Sequence, residues 1–163
     1  MNIEMMNSLV GEALQIDRGG PESRVGKLLG VGDDYFTLAT KQDGLIIYKT
    51  HHIKSITQNV KKGVEFNLLI PEDLEFISAA NFIDTISSLK YKWVKVNRGG
   101  KESVEGILEN VTDDFITVVA NEEIIRISMF HVRNISFGLV FEEQKNEESA
   151  KESKENNKEK ESK

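Results

Sequence analysis

Apolar residues recur three apart near the start of the chain, at Ile3, Met6 and Leu9, and again at Ile83, Ile86 and Leu89 with Phe82 beside them. That spacing puts each set on one face of a short helix. After each helical stretch the period drops to two. Ala13-Leu14-Gln15-Ile16-Asp17 and Trp93-Val94-Lys95-Val96-Asn97 alternate apolar and polar, as a half-buried strand does. Gly19-Gly20 and Gly99-Gly100 follow, and such pairs allow positive φ at a hairpin. The pattern then predicts a second strand over 24–31 and 104–111, with Gly26 and Gly106 in its interior. Interior glycine weakens a strand, so its recurrence predicts a sharp bend or a close backbone approach. Asp33-Asp34 and Asp113-Asp114 make the next turn, a third strand covers 35–38 and 115–118, and polar loops at 41–44 and 121–123 lead to a fourth over 45–48 and 124–128. A fifth, short strand is expected over 53–56 and 132–135.

The two series are one unit written twice. Residues 18–38 align without a gap on 98–118 at an offset of 80, with 11 of 21 positions identical. Arg18/Arg98, Gly19/Gly99, Gly20/Gly100, Glu22/Glu102, Ser23/Ser103 and Gly26/Gly106 are among them. One residue is lost in a hairpin, and His52-Ile53-Lys54-Ser55-Ile56 then matches His131-Val132-Arg133-Asn134-Ile135 at an offset of 79. An internal repeat of this kind sets the architecture before any motif does.

Five short strands with a bent second one, preceded by a helix, describe a small SH3-like barrel, and the helix-first order is that of the Sm-like variety. The expected fold is mainly β: two tandem five-stranded barrels over 1–58 and 81–139, each with a leading helix, joined by a connector at 59–80. Val64-Glu65-Phe66 and Leu74-Glu75-Phe76-Ile77 read as extended pieces of that connector around Pro71. Each barrel, at about 50 residues, is marginal alone, so the two are expected to pack together or share the connector. From Glu142 onward the chain carries eight Glu, six Lys and one apolar residue, Ala150. With nothing to bury against the entropy of ordering, residues 140–163 are expected to form a solvated, disordered Glu/Lys-rich tail.

Composition narrows the function by exclusion. The 27 acidic and 21 basic residues give a net charge of −6, and the body without its tail remains acidic. This argues against nucleic-acid backbone binding, which Lys and Arg drive by releasing counterions from phosphate. The absence of cysteine removes disulfides, thiolate zinc sites and a cysteine nucleophile. The first ten residues carry Glu4 but no Lys or Arg for a signal-peptide n-region, and no apolar run has the length of a membrane span.

Candidate chemistry is sparse. The paired carboxylates Asp33-Asp34 and Asp113-Asp114 have the composition of a cation site, but adjacent acids in a polar hairpin read first as turn residues that bond their own backbone. His51, His52 and His131 suggest a metal, yet only His52 and His131 are repeat-equivalent, and no third ligand stands at a suitable spacing. Consecutive amides of Arg-Gly-Gly can form an anion-binding nest, but neither a Gly-Lys-Ser/Thr sequence nor a helix follows. The glycines read better as turn formers, with Arg18 paired to Glu22, or Arg98 to Glu102, across the turn. No catalytic residue, cofactor or metal is expected.

The segments RGGPES at 18–23 and RGGKES at 98–103, with HHIKSI at 51–56 and HVRNI at 131–135, resemble the spore coat protein B family of endospore-forming Bacillus-type bacteria. Lys90-Tyr91-Lys92-Trp93-Val94 leading into Asn97-Arg98-Gly99-Gly100 adds to the resemblance, which spans most of 1–139. It implies a non-catalytic structural component of the spore coat, made in the mother-cell cytoplasm and working through contacts with other coat proteins or with itself. Two departures stand out: Lys101 replaces the signature proline in the second copy, and the tail is Glu/Lys-rich with only Ser149, Ser153 and Ser162 where longer relatives are Ser/Lys-rich. A mechanism follows from the barrels, whose unpaired strand edges can join through main-chain hydrogen bonds. The competing class is an Sm-like RNA-binding module, in which Tyr48-Lys49 and His51-His52 would stack bases.

Overall fold

The computed structural model describes residues 1–60 and 69–138. Asn2 opens α1 (Ile3–Asn7) by accepting the amides of Glu4 at 2.8 Å and Met5 at 3.3 Å, and Asn81 opens α2 (Phe82–Ser87) by accepting that of Asp84 at 2.9 Å. Such caps satisfy donors that a first helical turn leaves free. α2 buries Phe82 and Ile86, whereas α1 buries Met6 alone and leaves Ile3 exposed, so the apolar face read at Ile3 is narrower than its spacing suggested.

The strands follow in the same order in both repeats. The first repeat contributes β1 (Ala13–Ile16), β2 (Arg24–Val31), β3 (Tyr35–Thr40), β4 (Gly44–Lys49) and β5 (Ile56–Thr57). The second contributes β6 (Trp93–Val96), β7 (Val104–Val111), β8 (Phe115–Ala120), β9 (Glu123–Ser128) and β10 (Asn134–Phe137). The fifth strands begin later than expected because a 3₁₀ turn, Thr50–His52 or Met129–His131, precedes each. Side chains then take amides that a longer strand would use: Asp17 Oδ1 accepts those of Lys54 and Ser55 at 2.9 and 3.2 Å, and Asn97 Oδ1 that of Arg133 at 2.7 Å. Asp17 and Asn97 themselves adopt φ of 52° and 51°, a left-handed conformation that Asp and Asn tolerate better than most residues.

The recurrent strand glycines serve close approach. A Cβ on Gly26 would lie 2.5 Å from the Ala39 carbonyl oxygen, and one on Gly106 would strike the carbonyl oxygen of Val119. The register shift falls further along, between Leu28 and Gly30 in β2 and between Leu108 and Asn110 in β7. Bulge and close approach are thus separate devices, and both are repeated.

The sheet is not closed. All ten strands form one antiparallel sheet in the order β5-β1-β2-β3-β4-β10-β6-β7-β8-β9, in place of two separately closed barrels. The reason is main-chain pairing between repeats: β10 bonds to β6 on one side and to β4 on the other, with Asn134 opposite Tyr48 and Phe137 opposite Leu45. One apolar cluster gathers Met6, Leu14, Ile16, Leu28, Phe36, Leu38, Ile46 and Tyr48 from the first repeat. The other runs across the boundary, packing Tyr35 and Ile47 with Phe82, Ile86, Val94, Leu108 and Ile135. The expectation that the repeats pack together is met through this shared core.

Of the connector, 64–66 lies outside the described residues, as does the tail expected at 140–163. Residues 74–77 form no strand; Leu74 and Phe76 pack on Ala39 and Leu45 instead. The Tyr35 hydroxyl fastens the connector's end, donating to the Ala79 carbonyl at 2.7 Å and accepting its amide at 3.1 Å. Among the described residues no helix is long and apolar enough to cross a membrane.

Candidate functional site at the junction between the repeats

The two Arg-Gly-Gly signatures, alike in sequence, occupy unlike surroundings. Arg18, Gly19 and Gly20 lie exposed at the end of β1, and the would-be Cβ atoms of Gly19 and Gly20 meet nothing. Arg98 is 1 % exposed, and a Cβ on Gly99 would strike the Pro21 carbonyl oxygen of the first repeat. Gly99 has φ of 92° and Gly20 φ of 86°, so positive φ is used once in each signature, at non-equivalent glycines. Ser23 and Ser103 close both turns alike, each donating its amide to the carbonyl of Gly20 or Gly100 at 3.2 Å.

The ion pairs expected within each turn are replaced by pairs across the junction. Arg98 reaches Asp43 in the β3–β4 loop, which also holds Arg24 Nε at 2.7 Å. Glu22 pairs with Arg133 at 2.5 Å, while Arg18 and Glu102 stay exposed. The physical reason is distance from water: Arg98 is pressed into the junction and needs a carboxylate there, since an unpaired buried charge is costly. Burial draws the Arg98 pKa down from its ordinary 12.5, with Tyr48 and Asp43 opposing that shift. The Glu22–Arg133 pair is partly exposed and contributes little, roughly 0–1 kcal/mol.

Lys49 makes the next crossing. Its amide donates to the Arg133 carbonyl at 3.0 Å and its Nζ to the Met129 carbonyl at 2.5 Å, with the Phe82 ring 5.0 Å away. Burial lowers its pKa from 10.5, and Asp34 opposes the fall. Tyr48 is 2 % exposed, stacked on Phe36 at 5.2 Å, and its hydroxyl is pushed up to about 12 chiefly by burial. The Tyr48-Lys49 pair that a base-stacking surface would require is therefore consumed inside the molecule.

His52 Nε2 lies 3.2 Å from the Phe130 carbonyl, and the His51 ring stands 4.0 Å from that of His52. The junction thus brings His52 beside the segment that carries His131, whose carbonyl accepts from Asn97 Nδ2 at 2.8 Å. Asp33 and Asp34 tie the second repeat to the first. The Asp33 amide donates to the Ala80 carbonyl at 2.8 Å, and Asp34 Oδ1 accepts the Phe82 amide at 2.6 Å. Sequence reasoning missed Asp43, Lys49 and Arg133 as junction residues. Glu122 and Lys54, the repeat equivalents of Asp43 and Arg133, keep the charge and so gave no signal; only Lys49, which has Ser128 as its equivalent, stood out by divergence.

No protein-family model matches the chain, and no solved structure does. Over 149 residues, 88 % of its length, it is 40 % identical to spore coat protein B of Bacillus subtilis (strain 168). The match spans 38 % of that longer protein. Over the segment they share, the chain belongs to the spore coat protein B family.

Proposed function

We propose that this protein is a non-catalytic structural component of the bacterial spore coat, made in the mother-cell cytoplasm and acting through contacts with other coat proteins. The observation that carries the reading is the 40 % identity to a protein named for the coat. In this reading residues 1–58 and 81–139 are two barrel-like units of the SH3-like, Sm-like kind joined by a connector at 59–80. Support comes from the repeated strand order, the paired bulges and a capping helix on each. The repeated Arg-Gly-Gly and Glu-Ser residues then act structurally: they form turns, and in the second repeat they seat the units on one another. The test is to follow a tagged copy through sporulation in the source organism and compare coat extracts with and without the gene. Recovery in the coat fraction is expected; a protein absent from purified spores and abundant in growing cells overturns the assignment.

A further inference from the structure

The junction inside the chain joins the fourth strand of one repeat to the fifth strand of the other, and the same two kinds of edge remain open at the ends of the sheet. Among the described residues nothing pairs with the outer side of β9, the second repeat's fourth strand, or of β5, the first repeat's fifth. Burial shows what pairing does. All six residues of β4 are buried, whereas in β9 Ile124 is 61 % exposed and Ile125 and Ile127 are only half-buried.

Charge is repeated along with the edges. Arg98 and Arg133 cross the internal junction to Asp43 and Glu22. At the ends of the sheet their equivalents are Arg18 and Lys54 beside β5, and Glu122 and Glu102 beside β9, all exposed. A second copy brought to β9 with the geometry of the internal junction sets Arg18 against Glu122 and Lys54 against Glu102, cation to anion both times. Main-chain register carries over as well. Lys49 points its amide at Arg133, and alternation along a strand gives Ser128, Arg126 and Ile124 the outward amides on β9. By the same equivalence Arg126 then stands opposite Ile56 of the next copy, and Ile125 opposite Thr57.

We propose that copies of this chain associate head to tail, the β9 edge of one molecule pairing with the β5 edge of the next in a continuation of the internal β4–β10 junction. This names a partner for the contacts of the proposed coat function and in that sense rests on it, although its geometry does not depend on where the protein is found. The interface is heterologous, so it propagates into a filament or closes into a ring.

The experiment is sedimentation of the full chain over a range of concentrations. The parent should grow in mass with concentration. Arg126→Pro removes an outward amide while leaving the β8 ladder intact, and should reduce association at least tenfold with a cooperative unfolding transition retained. Should that variant fail to fold, Glu102→Lys and Lys54→Glu provide the same test: each alone weakens association, and both in one chain restore it. Polarity is read by mixing. Chains altered only at Glu102 and Glu122 and chains altered only at Arg18 and Lys54 (each to the opposite charge) should each stay monomeric alone. Once mixed, they should grow in alternation beyond a pair, because both ends that they present to each other are then opposite in charge. A mixture that stops at one-to-one pairs shows a two-fold contact instead and overturns the head-to-tail polarity. A parent that stays monomeric throughout, or a two-fold pairing through β9 that survives Arg18→Glu with Lys54→Glu, overturns the proposal. Failure here with the tagged protein still in the coat leaves the coat function standing. Assembly in solution by a protein absent from spores removes the function and keeps the interface.

Discussion

Replacing Gly99 by alanine tests how tightly the repeats are pressed together, because two separate costs meet at that residue. The first is conformational: φ of 92° is unfavourable for any residue with a Cβ, at about 1–2 kcal/mol. The second is contact. The new methyl would strike the carbonyl oxygen of Pro21 and lie 2.6 Å from its carbonyl carbon and 3.0 Å from the Glu22 amide nitrogen. Backbone on the far side has no flexible end to swing aside, so the repeats must separate or the turn must move, at about 1–3 kcal/mol for such overpacking. Gly20→Ala is the matched control, since φ there is 86° and nothing lies within 4 Å of the new atom. Gly20→Ala should therefore cost about 1–2 kcal/mol and Gly99→Ala about 2–5 kcal/mol. Urea denaturation followed by circular dichroism measures both. With a slope of about 1–3 kcal/mol/M, the second variant should unfold roughly 1 M urea earlier than the first. Equal midpoints at equal slopes would refute the claim that the junction depends on a glycine-sized gap.

Gly26→Val and Gly106→Val should each lower the thermal midpoint by at least several degrees, as the added atoms run into the Ala39 and Val119 carbonyls; midpoints within a degree of the parent would show that β2 and β7 can move away from their neighbours. Acidification should also destabilise the junction through His52. Burial first, and the neighbouring His51 next, hold its pKa below the ordinary 6.5, so the unfolded chain takes up the proton before the folded one. That contribution is complete above pH 6.5 and is lost as pH falls through the folded value. His52→Gln should therefore flatten the decline of thermal midpoint between pH 7.5 and 5, and an unchanged decline counts against the assignment.

Local structure was legible wherever periodicity and turn chemistry agreed. The second strands were read to their ends, and the glycines in them drew notice because a repeated breaker inside a strand needs a reason; a Cβ at either would meet the neighbouring strand's carbonyl. The fifth strands were misplaced because Ile53 and Val132 look like strand residues, while the side chains that take the following amides, Asp17 and Asn97, sit over 30 residues earlier. Pairing between repeats was beyond reach for a related cause. Alternation says that a strand has a buried face, but it carries no sign of which strand will lie alongside. The unbroken apolar run of β4, Leu45-Ile46-Ile47-Tyr48, was the one trace of its two covered faces.

The ionic partners at the open edges also bear on how durable an assembly through them can be. Inside the chain Asp43 is held by two arginines, Arg24 and Arg98, and Lys49 adds a bond from its ammonium to the Met129 carbonyl. At the open edge Val104 occupies the position of Arg24, and Ser128 that of Lys49. Glu122 would therefore meet Arg18 alone, and the short serine side chain cannot make the reach of lysine. Each difference removes attraction from the contact between chains and leaves it in the contact within the chain. The internal junction is covalently tethered and supported by a shared core, whereas the contact between chains also loses translational freedom on forming. Association through these edges is accordingly reversible and concentration-dependent, with the tandem repeat as the unit that is added or lost.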